Sequence, residues 1–441
     1  MKPQLAITFS LFIAVFHATV SSADDWPHWL GPQRDSIWRE KGIIDSIPAD
    51  GLRVKWRTPI AGGYSGPAVV GDRVYITDYV RKGGDASNDP SVRNELQGTE
   101  RVLCLDANTG EEIWKHEYDC PYKVSYPAGP RATPAVDGNF VYTLGSHGNL
   151  ICFAAETGDI VWERRLEEDF DVEAPLWGFC AHPLVDGDKL ICVVGGKESV
   201  AVAFDKAKGQ VLWKAGSASE PGYCPPSIIR EAGVRQLLIW DADKLNSLNP
   251  ETGKPYWSVP LKPGYGMSIT QPRRAGNLLF VSGIGNVSAA VRLGSDSPSA
   301  EIEWRSNPKT SVHVANSTPF IHDGTVYGAD CQTGHFRAVD LETGDRLWET
   351  FQLTTLGKRR ASHGTAFIVR HEDRYFLFTE TGDLVITKLT PEKFEELGRF
   401  HVLEPTGECF GRSVVWSHPA FAQKCMFARN DKEIVCVSLA K

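Results

Sequence analysis

From residue 51 to residue 441 the chain alternates short apolar runs with polar turns, and the alternation repeats in larger units. Each unit opens on a proline or an equivalent small residue, followed by an apolar run, a tight turn and a second run. GPAVVGDRVYITD, TPAVDGNFVYTLG, HPLVDGDKLICVV and TPFIHDGTVYGAD show the form. Eight entries of this kind begin near residues 66, 133, 182, 225, 271, 318, 363 and 418. Each unit closes on a second pattern, seen as DANTGEEIW ending at Trp114 and DLETGDRLW ending at Trp348. Apolar runs of this length bounded by Gly, Asn, Asp and Thr predict antiparallel strands joined by tight turns.

Related copies of the closing pattern end at Trp162, Trp213 and Trp257. Two more are degraded: the copy at Trp304 has lost its Gly, and in TPEKFEEL a Leu, Leu397, stands where Trp is expected. Trp56, in VKW, has no turn before it. Successive anchors are separated by 44 to 58 residues, the spacing of four-stranded propeller blades. The pattern therefore predicts an all-β, eight-bladed β-propeller whose structural anchors are Trp56, Trp114, Trp162, Trp213, Trp257, Trp304 and Trp348. The last unit supplies three strands before Lys441, so the VKWRTPI strand is expected to complete it by pairing the two ends of the propeller sequence. Closure of that kind removes the exposed strand edges that unpaired ends would leave.

Outside the repeat, Met1 to Ala23 reads as a secretory signal peptide: Lys2, an apolar run from Leu5 to Val15, then small residues before the cleavage point. The organisation expected is thus a signal peptide over 1–23, an aromatic-rich extension over 24–50 and the propeller over 51–441. Trp26, Trp29 and Trp38 are too close together to be blade anchors, and the extension is expected to bury them against the propeller. The mature chain shows no apolar stretch long enough to cross a bilayer. A formal net charge of −8 speaks against nucleic acid as a partner. Ten cysteines invite a disulfide reading, yet Cys104, Cys152 and Cys436 occupy equivalent strand positions, as small core residues do. Export to the periplasm or beyond, as a monomer, is the expectation.

An up-and-down blade puts its first and third turns on one face and its second turn and outgoing link on the other. The first kind is short and stereotyped here, so function is expected among the variable loops of the second face, the longest being residues 81–100. His182, His363 and His418 read as equivalent residues beside the blade entries, too far apart around the ring to share a metal ion. Arg131, Arg359 and Arg412, with Trp177 and Tyr265 among the interleaved aromatics, complete a set of ligand-binding candidates suited to an anionic or carbohydrate ligand. Carboxylates such as Asp243, Asp330 and Glu380 show no spacing for a calcium site or an acid/base pair. No nucleophile elbow, phosphate loop or zinc motif is present, and no catalytic or metal residue is assigned.

The TG…W turn and the blade entries resemble the tryptophan-docking repeat of the PQQ (pyrroloquinoline-quinone)-like eight-bladed propellers, which include quinoprotein alcohol dehydrogenases and the BamB-type outer-membrane assembly factor. WPHWLGP, in the extension, is similar to a stretch of secreted bacterial proteins of the PQQ-binding-like type. The resemblance covers residues 51–441 and implies the fold. For the dehydrogenases it implies PQQ with calcium, an adjacent-Cys disulfide and a catalytic Asp; the chain has no Cys-Cys pair. The expectation is a non-catalytic scaffold that binds an envelope protein or ligand through its variable face, with a PQQ-dependent alcohol or sugar dehydrogenase as the alternative.

Overall fold

Alternating apolar residues and positive-φ turn glycines give short strands that can bury both faces only by stacking as sheets. In the computed structural model, which describes residues 24–357 and 359–441, they do so as eight antiparallel sheets of four or five strands, with a separate two-stranded sheet between the last two. The expected signal peptide and Lys358 lie outside the described residues. A representative blade runs outward through Ala135–Asp137, Phe140–Leu144, Asn149–Ala154 and Ile160–Arg165. The closing blade takes Val54–Pro59 as its outer strand against Glu433–Ser438, with Trp56 opposite Cys436.

Contacts of the repeated Trp explain the motif. Its indole N–H reaches into the next blade and donates to a carbonyl of that blade's turn: Trp56 to Ala107 at 3.0 Å, Trp114 to Ala155 at 3.1 Å, Trp162 to Lys206 at 3.0 Å. The turn Gly lies flat under the ring. A Cβ on Gly110, Gly158 or Gly209 would stand 2.6 Å from the indole of Trp56, Trp114 or Trp162, and each of these glycines has φ near +70°. Opposite the Trp sits a small residue, Cys104, Cys152, Cys436 or Ala203. The cysteines at this position are fully buried, and all ten thiols are free.

The repeat is irregular at two anchors. Trp257 faces a turn without the TG pair and bonds Gln236 of its own blade instead. In the seventh blade Gly398, paired with Ile386, holds the place of Trp, and Leu397 falls on the bulge. The expectation for Leu397 is corrected by one residue, because every outer strand carries a bulge immediately before its anchor. The next blade is closed by two chain ends and has no turn on which a Trp could dock. Ile47 of the extension fills the space, its Cβ 2.9 Å from where a Gly398 Cβ would be.

The extension follows the inner rim of the ring in blade order. Trp26 pairs with Val69, Pro27 accepts the Val136 N–H, Arg34 donates to Pro183 O, Arg273 donates to Asp35 O, Trp38 donates to Arg370 O, and Ile44 donates to Leu439 O. These partners, except Leu439 after the third strand of the eighth blade, lie on the innermost strands or beside them, so residues 24–44 close the channel from the face of the stereotyped turns. Trp26, Trp29 and Trp38 are 2, 3 and 1 % exposed. Trp26 and Trp38 join the largest apolar cluster, which binds the first, seventh and eighth blades.

The expected 81–100 loop is mostly strand. Arg73–Gly84 and Asn94–Asp106 form one long hairpin, and Tyr122–Val124 adds to its edge. Only residues 85–93 make a loop, and they lean over the channel mouth: Ser125 Oγ donates to Asp89 O at 2.6 Å and Asn88 Nδ2 to Glu408 O at 2.7 Å. No described helix is long and apolar enough to cross a membrane.

Candidate functional site

At the mouth of the channel, on the variable face, lies a cavity of about 930 Å³. Its walls come from blade-to-blade links and second turns, with Pro90 and Ser91 of the hairpin tip at the rim. Of the candidates read from the sequence, Arg131, Trp177, His182, Tyr265, His363 and His418 line it; Arg359 and Arg412 do not. Trp29 forms part of the lining as well, stacked on His182 with centroids 4.6 Å apart and edge-on to His418 at 5.6 Å. Nothing in the repeat pattern announces Trp29, because it belongs to the extension and reaches the cavity from the opposite face.

His182 and His418 meet, with ring centroids 6.0 Å apart. The expected separation around the ring is corrected at this pair: both residues sit at the narrow inner edge, where distance across the channel is short. His363 is not their equivalent. The residue two before the first strand is Gly364 in the seventh blade, against His182 and His418 in the third and eighth. His363 instead stacks on Phe410, centroids 5.3 Å apart.

Burial holds these imidazoles neutral. Desolvation brings His418 down to about 3; desolvation and then the charge of Arg412 bring His363 down to about 4. His182 is lowered by desolvation first, then by His418 and Arg34. The Thr133 N–H donates to His182 Nδ1 at 2.8 Å, so the neutral ring carries its proton on Nε2.

The arginines are engaged in structure. Arg131 donates to the carbonyls of Gly129, Ser125 and Tyr126 and lies 5.1 Å from the Tyr64 ring centroid. Arg412 binds both carboxylate oxygens of Glu380 and the carbonyl of Ser362. Arg359 is exposed, and its carbonyl accepts from Thr355. Arg359 and Arg412 are thus corrected as ligand-binding candidates: neither lines the cavity, and Arg412 is paired with Glu380, whereas Arg131 lines the cavity with its guanidinium held by carbonyls. Glu380 is 1 % exposed, and its pKa is raised by desolvation against the pull of Arg412. Arg412→Ala leaves that carboxylate buried without its cation, an expected loss of about 3–5 kcal/mol in urea unfolding. Adding Glu380→Gln, which removes the charge, is expected to recover part of it.

Other polar clusters are closed networks. Asp330 is held by Arg337 and by the N–H groups of His313 and Thr333. His313 lies between Asp330 and Ser306, but the Ser306 hydroxyl donates to Asn286 O, leaving no proton for the imidazole to take. Asp243 accepts from Ser219 and pairs with Lys262. Among the described residues no three His, Cys, Asp or Glu side chains converge as a metal site requires. Glu220 is the one carboxylate of the cavity lining.

Known proteins share this architecture. Polyvinylalcohol dehydrogenase of Sphingopyxis sp. is 21 % identical over 78 % of this chain and 70 % of its own length. Outer membrane protein assembly factor BamB of Yersinia pestis is 23 % identical over 57 % of this chain and 64 % of its own. Among solved structures, BamB from Moraxella catarrhalis superposes with a TM-score of 0.56, covering 88 % of this chain and 99 % of its own at 14 % identity. Quinohemoprotein alcohol dehydrogenase from Comamonas testosteroni gives 0.57, covering 94 % and 80 % at 14 % identity. These superpositions bear on the fold alone. A family profile described as outer membrane protein assembly factor BamB matches residues 98–350 and 241–438, and the chain, with its docked-Trp blades, belongs to that family.

Proposed function

We propose that this chain is an exported, non-catalytic β-propeller that serves as a binding or assembly scaffold through its variable face. One observation carries the reading: the cavity is large and walled by rings, while the charged groups around it, Glu220 apart, are engaged elsewhere in the protein. Such a site can hold a ligand and exclude water, but it offers no base placed on a nucleophile and no acid/base pair. Relatives named for outer-membrane assembly support a place in the cell envelope, periplasmic or extracellular, with an envelope protein among the partners.

The alternative is a quinone-dependent dehydrogenase, supported by the relatives named as dehydrogenases. PQQ is a polyanion whose carboxylates need cations, and its calcium needs several oxygen ligands. The donor set fits neither: Arg131 is a single cation already held by carbonyls, the imidazoles are neutral, and Glu220 stands alone. No step through the quinone is drawn.

Titration of the purified mature chain with PQQ and calcium tests the choice. The expected result is no dye-linked oxidation of primary or secondary alcohols. A saturable spectral shift accompanied by turnover would overturn the scaffold reading.

A further inference from the structure

We infer that the cavity takes a neutral glycan chain, seated against rings that strained backbone presents to it. The inference rests on the reading that the variable face captures a ligand, and it names the ligand's class.

Four ring-bearing residues among those described have left-handed backbone: Tyr126 at φ 51°, Tyr265 at 59°, His363 at 56° and Phe410 at 47°. All four line this cavity. They come from different links, Tyr126 between the first and second blades, Tyr265 between the fourth and fifth, His363 between the sixth and seventh, and Phe410 between the seventh and eighth. Bulky L-residues avoid this region, and where they are held in it the surroundings over-determine them, most often at ligand sites. Independent occurrence at one mouth is not what turn chemistry alone produces, since turns choose Gly, Asn or Asp for such positions.

Two of the rings are also unusually open. Tyr265 is 82 % exposed and Phe410 54 % exposed, although both are large and partly apolar. Rigid, amphipathic rings standing in water at a cavity rim are contact surfaces for a flat ligand with C–H faces.

Charge then narrows the class. Arg131 is the one cation of the lining and Glu220 its one carboxylate, so the walls carry no net charge to compensate an anion. What remains is neutral. His182 keeps an Nε2–H donor. Gln332 uses its amide N–H on Asn286 and Asn316 uses its own on Thr365, leaving both carboxamide oxygens as acceptors. Neutral donors and acceptors between ring faces match sugar hydroxyls and pyranose C–H faces. About 930 Å³ is the upper end of the small-ligand range and has room for more than one sugar ring.

The test uses the purified mature chain, isothermal titration, and four probes: neutral hexasaccharides of glucose and of N-acetylglucosamine, a sulfated glucose hexasaccharide, and PQQ with calcium. Wild type is expected to bind at least one neutral hexasaccharide saturably, with the sulfated chain weaker. Phe410→Gly and Tyr265→Gly are expected to weaken binding at least tenfold and to leave the melting temperature unchanged or raised, because Gly adopts these φ values without strain and neither ring is in the core. Equal binding by the Gly variants, tighter binding of the sulfated chain, or no binding of either neutral probe overturns the inference. Turnover with PQQ would sink the scaffold reading itself; absence of glycan binding without turnover sinks only the ligand class.

Discussion

Trp38→Ala is expected to lower the free energy of unfolding by about 3–5 kcal/mol, the cost of removing a large buried ring that leaves a cavity. The ring is 1 % exposed and packs on Phe421 and Phe376 at 5.2 and 5.7 Å between centroids. Its backbone ties the extension to the seventh blade in both directions: the Trp38 N–H donates to Arg370 O, and Trp38 O accepts from His371 Nδ1. The effect is expected to be large because of where it falls. In the other blades except the fourth a Trp bonds the following turn, but at the seam between the seventh and eighth blades the anchor is Gly398 and the turn is absent. Ile47 supplies apolar mass at the missing anchor, and Trp38 packs the inner rim of the same two blades. Urea denaturation of wild type and variant measures the difference, and a loss below about 1 kcal/mol would mean the seam holds without the extension.

The second large effect is acid destabilisation between pH 6.5 and about 4. His28 and His418 are held near 3 and His363 near 4, in each case by desolvation first, and His182 is lowered for the same reason. These are bases with depressed folded pKa values, so the unfolded chain takes up protons first as pH falls. Their contribution to stability is complete above the unfolded value of about 6.5 and is lost progressively as pH drops toward the folded values. Each tenfold difference in proton affinity between the unfolded and folded chain is worth about 1.4 kcal/mol, so the loss is on the order of several kcal/mol. The buried carboxyls of Glu40, Asp241 and Glu380, raised by desolvation, act in the opposite sense over the lower part of the same range. The imidazoles are expected to dominate, since burial displaces them further from their ordinary value. Melting temperatures from pH 7.5 to 4.5 should fall steadily, and His418→Phe, which keeps a ring against Phe367, should reduce the slope. A flat profile would contradict the neutral state on which the ligand argument depends.

Both effects belong to the same construction. One segment, residues 24–44, closes the channel from the face of the stereotyped turns, strengthens the seam, and places Trp29 among the cavity walls. Stability at the closing blade and the shape of the site are therefore coupled through the extension.

What the sequence determined by itself was the repeat and its consequences. Local pattern encodes strands and turns, and a docked Trp with a turn Gly is a nearest-neighbour device, so periodicity and ring closure are legible without coordinates. Leu397 and His363 were each misplaced by one residue, because a bulge or a missing proline shifts register in a way that pattern alone does not reveal. Tertiary structure decided the rest. The meeting of His182 with His418, the pairing of Arg412 with Glu380, and the approach of Trp29 from the opposite face arise between segments far apart in the chain. Whether a charge is free for a ligand or bound to a carbonyl depends on which atoms surround it after folding, and no spacing in the sequence carries that information.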